Sequence, residues 1–184
     1  MFLHTLLRSP RFVAGSDGRA RLLDAVSPEA REVLENPIFT SSWYDERISV
    51  EVARASMQIL NLTDDDAIKA HFRALQLPGL GRVYRVILRM MTPEIVAKRA
   101  GWFWGRTHDS GDVEVESVKE GVMRAHVTKS LTVADPIYSL AVLGGIEGVI
   151  SLTGAIPVIG RRFIIGPDET RIEIRWGDAA RSAT

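Results

Sequence analysis

Very few residues in this chain have the type and spacing for chemistry, and the most conspicuous is a carboxylate in apolar surroundings. Glu147 is the single charge in the stretch from Pro136 to Gly160, which also holds Gly144, Gly145, Gly148, Gly154 and Gly160. Such a carboxylate either neutralises a cation inside an ordinary core, with Arg89, Arg99 or Arg106 as candidates, or forms the polar end of a binding cavity. Trp102, Phe103 and Trp104 form a second cluster, three consecutive aromatics that serve as core or line a ligand. With Tyr138 and Leu143 they would make a mostly apolar pocket anchored by Glu147, the usual chemistry of a small-molecule site.

The other candidates carry less. Thr63-Asp64-Asp65-Asp66 looks like half of a metal site, yet acids gather at helix starts for electrostatic reasons and no further ligand spacing follows, so no metal is expected. His71 sits on an amphipathic helix without a partner motif. His108 and Asp109 are loop neighbours, and sequence neighbours rarely share a proton path. No Ser or Lys nucleophile stands in a recognisable setting, so no catalytic residue is assigned and the chain is read as a non-enzyme. A carboxyl of raised pKa in a pocket beside His108 or His126 would argue the other way.

Composition narrows the classes. The 184 residues suffice for one compact domain, expected over 1–176, with 177–184 as a small, polar, flexible tail. Cysteine is absent, which excludes thiolate nucleophiles, cysteine zinc sites and iron–sulfur clusters. Lys plus Arg and Asp plus Glu balance at 23 each, so no net field draws the chain to nucleic acid. Met1 to Arg8 lacks the form of a secretory signal, so a cytoplasmic location is expected.

These residues must be positioned by helices and hairpins. Phe2 to Leu7 reads as an opening strand, and Ser27-Pro28 as a capped helix start running to Glu35. Trp43 to Leu60 is an amphipathic helix whose wet side carries Asp45, Glu46, Arg47, Glu51 and Arg54. A further helix runs from the acids at 64–66 to about Gln76. Gly81 to Met91 places Val83, Tyr84, Ile87, Leu88, Met90 and Met91 inward. Thr92-Pro93 starts the helix that ends in the aromatic cluster. Arg82, Arg85, Arg89, Lys98, Arg99 and Arg106 face Glu94 alone, a basic helical surface read as solvated.

Asp112 to Thr128 gives the clearest β signal. A three-residue loop, Lys119-Glu120-Gly121, would set Val118 opposite Val122, Glu116 opposite Arg124 and Glu114 opposite His126 on a wet face. Val115 then meets Ala125, and Val113 meets Val127, on the other face. Ile156 to Ile165 and Arg171 to Trp176 make a second hairpin joined by residues 166–170, with Ile172, Ile174 and Trp176 inward. The apolar stretch between the hairpins, capped by Asp135-Pro136, is long enough to span a bilayer. Its glycines and central carboxylate make a poor span, and two amphipathic hairpins need cover, so it is read as a buried helix to about Gly154. Gly144, Gly148, Ser151 and Ala155 would line one flank, a small-residue surface for a second copy or a partner.

The order Thr92-Pro-Glu, Trp104, Asp109-Ser-Gly111, hairpin, Gly144-Gly-Ile-Glu-Gly148, Leu152-Thr-Gly154, Gly166 and Ile172-Glu-Ile-Arg-Trp176 resembles a family of uncharacterised myxobacterial proteins. That family is similar to the wider group of vinyl-reductase-type, haem nitric-oxide-binding and vesicle-trafficking-subunit domains. The resemblance covers roughly residues 80–176. It implies helices packed on an antiparallel sheet, often a homodimer, with a ligand cavity between helices and sheet. The cysteines common near the final glycine–aspartate turn of vinyl-reductase-type domains are missing, so no metal or thiol chemistry carries over, and no cofactor is expected. The expectation is an α+β protein with about four to five antiparallel strands, arranged hairpin–helix–hairpin in its C-terminal half. Its expected role is that of a regulatory bacterial domain binding an apolar small molecule as a homodimer; the alternative is an interaction or scaffold module without a ligand.

Overall fold

The computed structural model describes residues 2–7, 9, 12, 17–39, 42–80, 82–156 and 158–177. It is an α+β fold with helices packed against a four-stranded antiparallel sheet of order β1-β2-β4-β3. The helices come first: α1 (Phe2–Leu7), α2 (Asp17–Ala25), α3 (Pro28–Glu35), α4 (Glu46–Leu60), α5 (Asp65–Gly79), α6 (Arg82–Arg89), α7 (Pro93–Lys98) and α8 (Ala100–Thr107). Hairpin β1 (Asp112–Lys119) and β2 (Val122–Thr128), helix α9 (Pro136–Ser151), and hairpin β3 (Val158–Gly166) and β4 (Glu169–Trp176) follow. The expected hairpin–helix–hairpin order is therefore present. Of the expected tail only Gly177 is described; residues 178–184 lie outside the described residues.

Several helix starts follow from local chemistry. Ser27 caps α3 by accepting from Ala30 N at 3.2 Å, with Pro28 in the first turn. Asp64 caps α5 by accepting from Ala67 N at 2.8 Å. Asp135 caps α9 through Ile137 N at 3.0 Å and Tyr138 N at 2.7 Å. The opening segment is helical rather than a strand: Leu3 and Leu6 are buried, a spacing that fits one side of a helical turn.

The first hairpin corrects the predicted turn and the pairs next to it, since Val118 joins the apolar face and Ser117 rather than Glu116 stands opposite Arg124, while the outer pairs keep their predicted faces. Its loop is two residues, Glu120-Gly121, both at positive φ (51° and 74°), as a primed turn demands. Lys119 pairs with Val122 and Val118 with Met123, so the near-turn register differs from expectation by one residue. A bulge at Glu116, between Val115 and Ser117, absorbs that residue and restores the pairs Val115–Ala125, Glu114–His126 and Val113–Val127. Met123, Ala125 and Val127 are buried on one face, while Arg124 is exposed on the other. Gly121 is needed for a second reason: a Cβ there would meet the Trp176 carbonyl oxygen at 2.4 Å.

Helix α9 lies over the sheet and packs against α5. The approach is close enough to require glycine, since a Cβ on Gly144 would sit 2.4 Å from the Lys69 carbonyl oxygen. The predicted inward face of α6 is a correction. Leu88 is buried, but Tyr84, Ile87 and Met90 are exposed; Val83's side chain lies outside the described residues.

Candidate functional site

The inner face of β2, the helix α9 above it and the aromatic end of α8 enclose a cavity of about 280 Å³. Ala125 and Ile172 contribute from the sheet, Tyr138 and Ala141 from α9, and Phe103 and Trp104 from α8. Trp43 and Tyr84, 63 % and 48 % exposed, stand at its edge and mark the opening to solvent. The walls are mostly apolar. Among the described residues that line the cavity, Glu46 is the one carboxylate, and there is no lysine or arginine.

Glu46 is the first residue of α4, directly after the Asp45 cap, and is 9 % exposed. Its Oε2 accepts hydrogen bonds from Ser110 Oγ at 2.9 Å and Thr132 Oγ1 at 3.0 Å. Its Oε1 is sealed from solvent and has no partner at close hydrogen-bond geometry, with the Asp109 backbone as the nearby donor. Burial raises the Glu46 pKa above the ordinary carboxyl value, and the Asp109 charge adds to this, against the two hydroxyl hydrogen bonds and one from the Asp109 backbone. The phenol of Tyr138 moves the same way, pushed up by burial and then by Glu46 and Asp109.

His108 follows α8 as its cap residue and also lines the cavity. Its ring stacks on Trp104 at 3.7 Å between centroids and 7° between planes. Thr107 Oγ1 lies 2.9 Å from its Nδ1. Desolvation by burial lowers the His108 pKa to about 4, so the ring is neutral near pH 7. Trp104 is itself fixed by its Nε1, which donates to the Ser110 carbonyl at 2.9 Å.

Three of the six residues predicted to line a pocket do so: Phe103, Trp104 and Tyr138. Trp102 points elsewhere, 51 % exposed beneath the Arg106 guanidinium at 4.4 Å. Leu143 is core beside Gly160. Glu147 is a correction as the polar anchor. It turns to the opposite side of α9, where Oε1 accepts from Gly160 N at 2.8 Å and lies 3.3 Å from Lys69 Nζ. Arg73 Nη1 is 3.6 Å from Oε2. Its cations therefore come from α5 rather than from Arg89, Arg99 or Arg106. Lys69 pays desolvation, which would lower its pKa, but Asp66 and Glu147 outweigh this and raise it.

The predicted small-residue interface is occupied within the chain. Gly144 faces the backbone of α5, and Gly148 meets Leu77 and the Arg73 stem. Ser151 ends α9, and buried Ala155 lies past the helix, off its flank. The true polar group of the cavity, Glu46, was assigned to a wet helix side in the sequence. Its partners stand 64 and 86 residues away, so no local pattern announces it. His126 lies on the outer sheet face, 2.6 Å from Glu169.

No protein-family model matches the chain, and no curated protein matches it. Solved structures do. The chain is similar to an Fe(II) unliganded H-NOX protein from K. algicida, with a TM-score of 0.66, 10% identity, and coverage of 96% of this chain and 93% of that one. An S. oneidensis H-NOX protein in the Fe(II)NO state aligns with a TM-score of 0.63 at 11% identity, covering 97% of this chain and 100% of that chain. The same organism's H-NOX domain in the Fe(II)CO state gives 0.65 at 13% identity, over 96% and 97%. At these identities the likeness shows a shared fold. No helix of the described residues is long and apolar enough to cross a membrane.

Proposed function

We propose that this chain is a small-molecule-binding regulatory domain whose ligand occupies the cavity between β2, α8 and α9. The carrying observation is the cavity itself: about 280 Å³ behind Trp104 and Tyr138, apolar on most sides and open near Trp43. That volume lies just below the usual range of ligand pockets, about 300–1,000 Å³. Binding without turnover is the favoured role because the described lining residues include no activated nucleophile.

The H-NOX names raise haem as an occupant, and the residues here do not fit it. A porphyrin is broad and brings two carboxylates of its own. This cavity is small, has Glu46 in its wall, and has no lysine or arginine among the described residues that line it. A buried anion beside further anions is strongly unfavourable. The ligand read here is a compact, mainly apolar molecule in direct contact with the walls.

The test is a titration with N-phenyl-1-naphthylamine, an apolar fluorophore that brightens in dry surroundings. One saturable site per chain, displaced by other apolar compounds, is expected; a signal that never saturates would count against the proposal. A second reading, general acid–base catalysis, has one observation behind it: Glu46, with its raised pKa, and neutral His108 share the cavity wall. Turnover of a bound compound that is lost in both Glu46→Gln and His108→Ala, with binding retained, would move the assignment to that reading.

A further inference from the structure

We propose that the outward face of α6 docks this protein on the surface of an anionic membrane. Among the described side chains of this helix only Leu88 is buried, and Tyr84, one turn before it, lines the cavity with it. At about 100° per residue, Val86 and Met90 stand nearly opposite Leu88, with Ile87 on one flank and Arg85 and Arg89 on the other. The exposures agree with this geometry. Met90, in the turn that follows α6, is 83 % exposed, Val86 and Ile87 are about half exposed, and both arginines are exposed. An amphipathic helix ordinarily turns its aliphatic side to a core. Here three neighbouring aliphatic side chains meet water, on the helix whose Tyr84 stands with Trp43 at the cavity opening.

Charge identifies what covers this face. Among the described residues, no carboxylate forms an ion pair with Arg85 or Arg89. Lys98, Arg99 and Arg106, also exposed, add to the local positive field from α7, its end and α8. Glu94 is the one acid between Arg82 and Thr107, and it is already engaged by the Trp176 indole N–H at 3.1 Å. A second copy meeting this face about a two-fold axis would set arginine against arginine. A lipid surface with acidic headgroups supplies what the face lacks: anions for the arginines and a hydrocarbon boundary for Val86, Ile87 and Met90. Met90 projects from the surface rather than lining a groove, which suits a fluid boundary better than a shaped partner.

The experiment is co-sedimentation of the full chain with vesicles of phosphatidylcholine alone and of phosphatidylcholine with about 30 % phosphatidylserine. Binding to the anionic vesicles should be at least about tenfold stronger than to the neutral ones and should weaken as salt is raised. Arg85→Gln combined with Arg89→Gln should lower it by about tenfold or more. Val86→Ser combined with Met90→Ser should lower it by about fivefold or more although every charge stays in place. These four side chains are exposed, so the thermal midpoints of both variants should stay near that of the wild type. Equal binding to the two vesicle types, or none to either, overturns the inference. So does anionic binding that survives the serine pair, which would be adsorption by charge alone. Should the serine pair not fold, Met90→Ser, at the most exposed of these positions, decides. The titration with N-phenyl-1-naphthylamine is done without vesicles, so either statement can fail while the other stands.

Discussion

At the scale of single residues, two buried carboxylates divide the work that a sequence reader would assign to one. Glu147 is structural: it closes a network with the Gly160 amide, Lys69 and Arg73, and thereby ties α9 to β3 and α5. Replacing it by Gln keeps the shape but leaves Lys69 buried beside a neutral group. A loss of about 3 kcal/mol is expected from such a broken buried pair, at the low end of the usual range because Lys69 retains Asp66. Urea midpoints of the wild type and Glu147→Gln measure it, and an unchanged midpoint would contradict the assignment. Glu46 behaves oppositely in the free protein. Its folded pKa is raised, so the folded state binds a proton more readily than the unfolded chain. Its stabilising contribution is complete below the ordinary value of 4.5 and is lost as pH rises through the folded pKa. Ligand-free Glu46→Gln should therefore lose less stability than the wild type between pH 4.5 and 8, as followed by denaturant midpoints. A carboxylate in a run of apolar residues announces Glu147 in the sequence. Glu46, flanked by Asp45 and Arg47, has no such signature, since its burial depends on hydroxyls from two distant loops.

At the scale of elements, pairing rules carried further than face assignments. Opposite charges and apolar partners identified the outer pairs of the first hairpin, because cross-strand contacts are local in space and nearly local in sequence. The bulge at Glu116 was hidden, since a shorter turn plus a bulge leaves the same outer pairs as a longer turn. Helix α6 misleads for the converse reason: its apolar side has helical spacing, but whether that side is covered depends on tertiary packing that spacing does not encode. The α5–α9 contact supplies a paired test. Gly144→Ala should cost about 1–3 kcal/mol, because its Cβ would meet backbone at 2.4 Å. Gly105→Ala, in α8 with nothing within 4 Å of the new Cβ, should stabilise by about 0.5–1 kcal/mol through helix propensity. Thermal midpoints moving in the same direction for both would contradict this packing.

At the scale of the molecule, the chain joins a hairpin–helix–hairpin sheet layer to a set of helices that leaves a space along one side of α9. The two hairpins around a glycine-rich apolar helix were enough to read the α+β class and to set a membrane span aside. The cavity was only partly legible: Phe103, Trp104 and Tyr138 stand out as aromatics, whereas Ala125, Ala141 and Glu46 matter by position alone. The central claim is that the space behind Trp104 is real and takes a ligand. Ala125→Leu addresses it most directly, because Ala125 is 2 % exposed on β2 and its side chain borders that space. If the cavity exists in solution, the added methylenes enter empty volume. The ligand-free variant should then gain about 0.5–2 kcal/mol, as cavity-filling substitutions do, while N-phenyl-1-naphthylamine no longer binds. If the core there is filled, the same substitution overpacks it, stability falls by about 1–3 kcal/mol and any probe binding is unaffected.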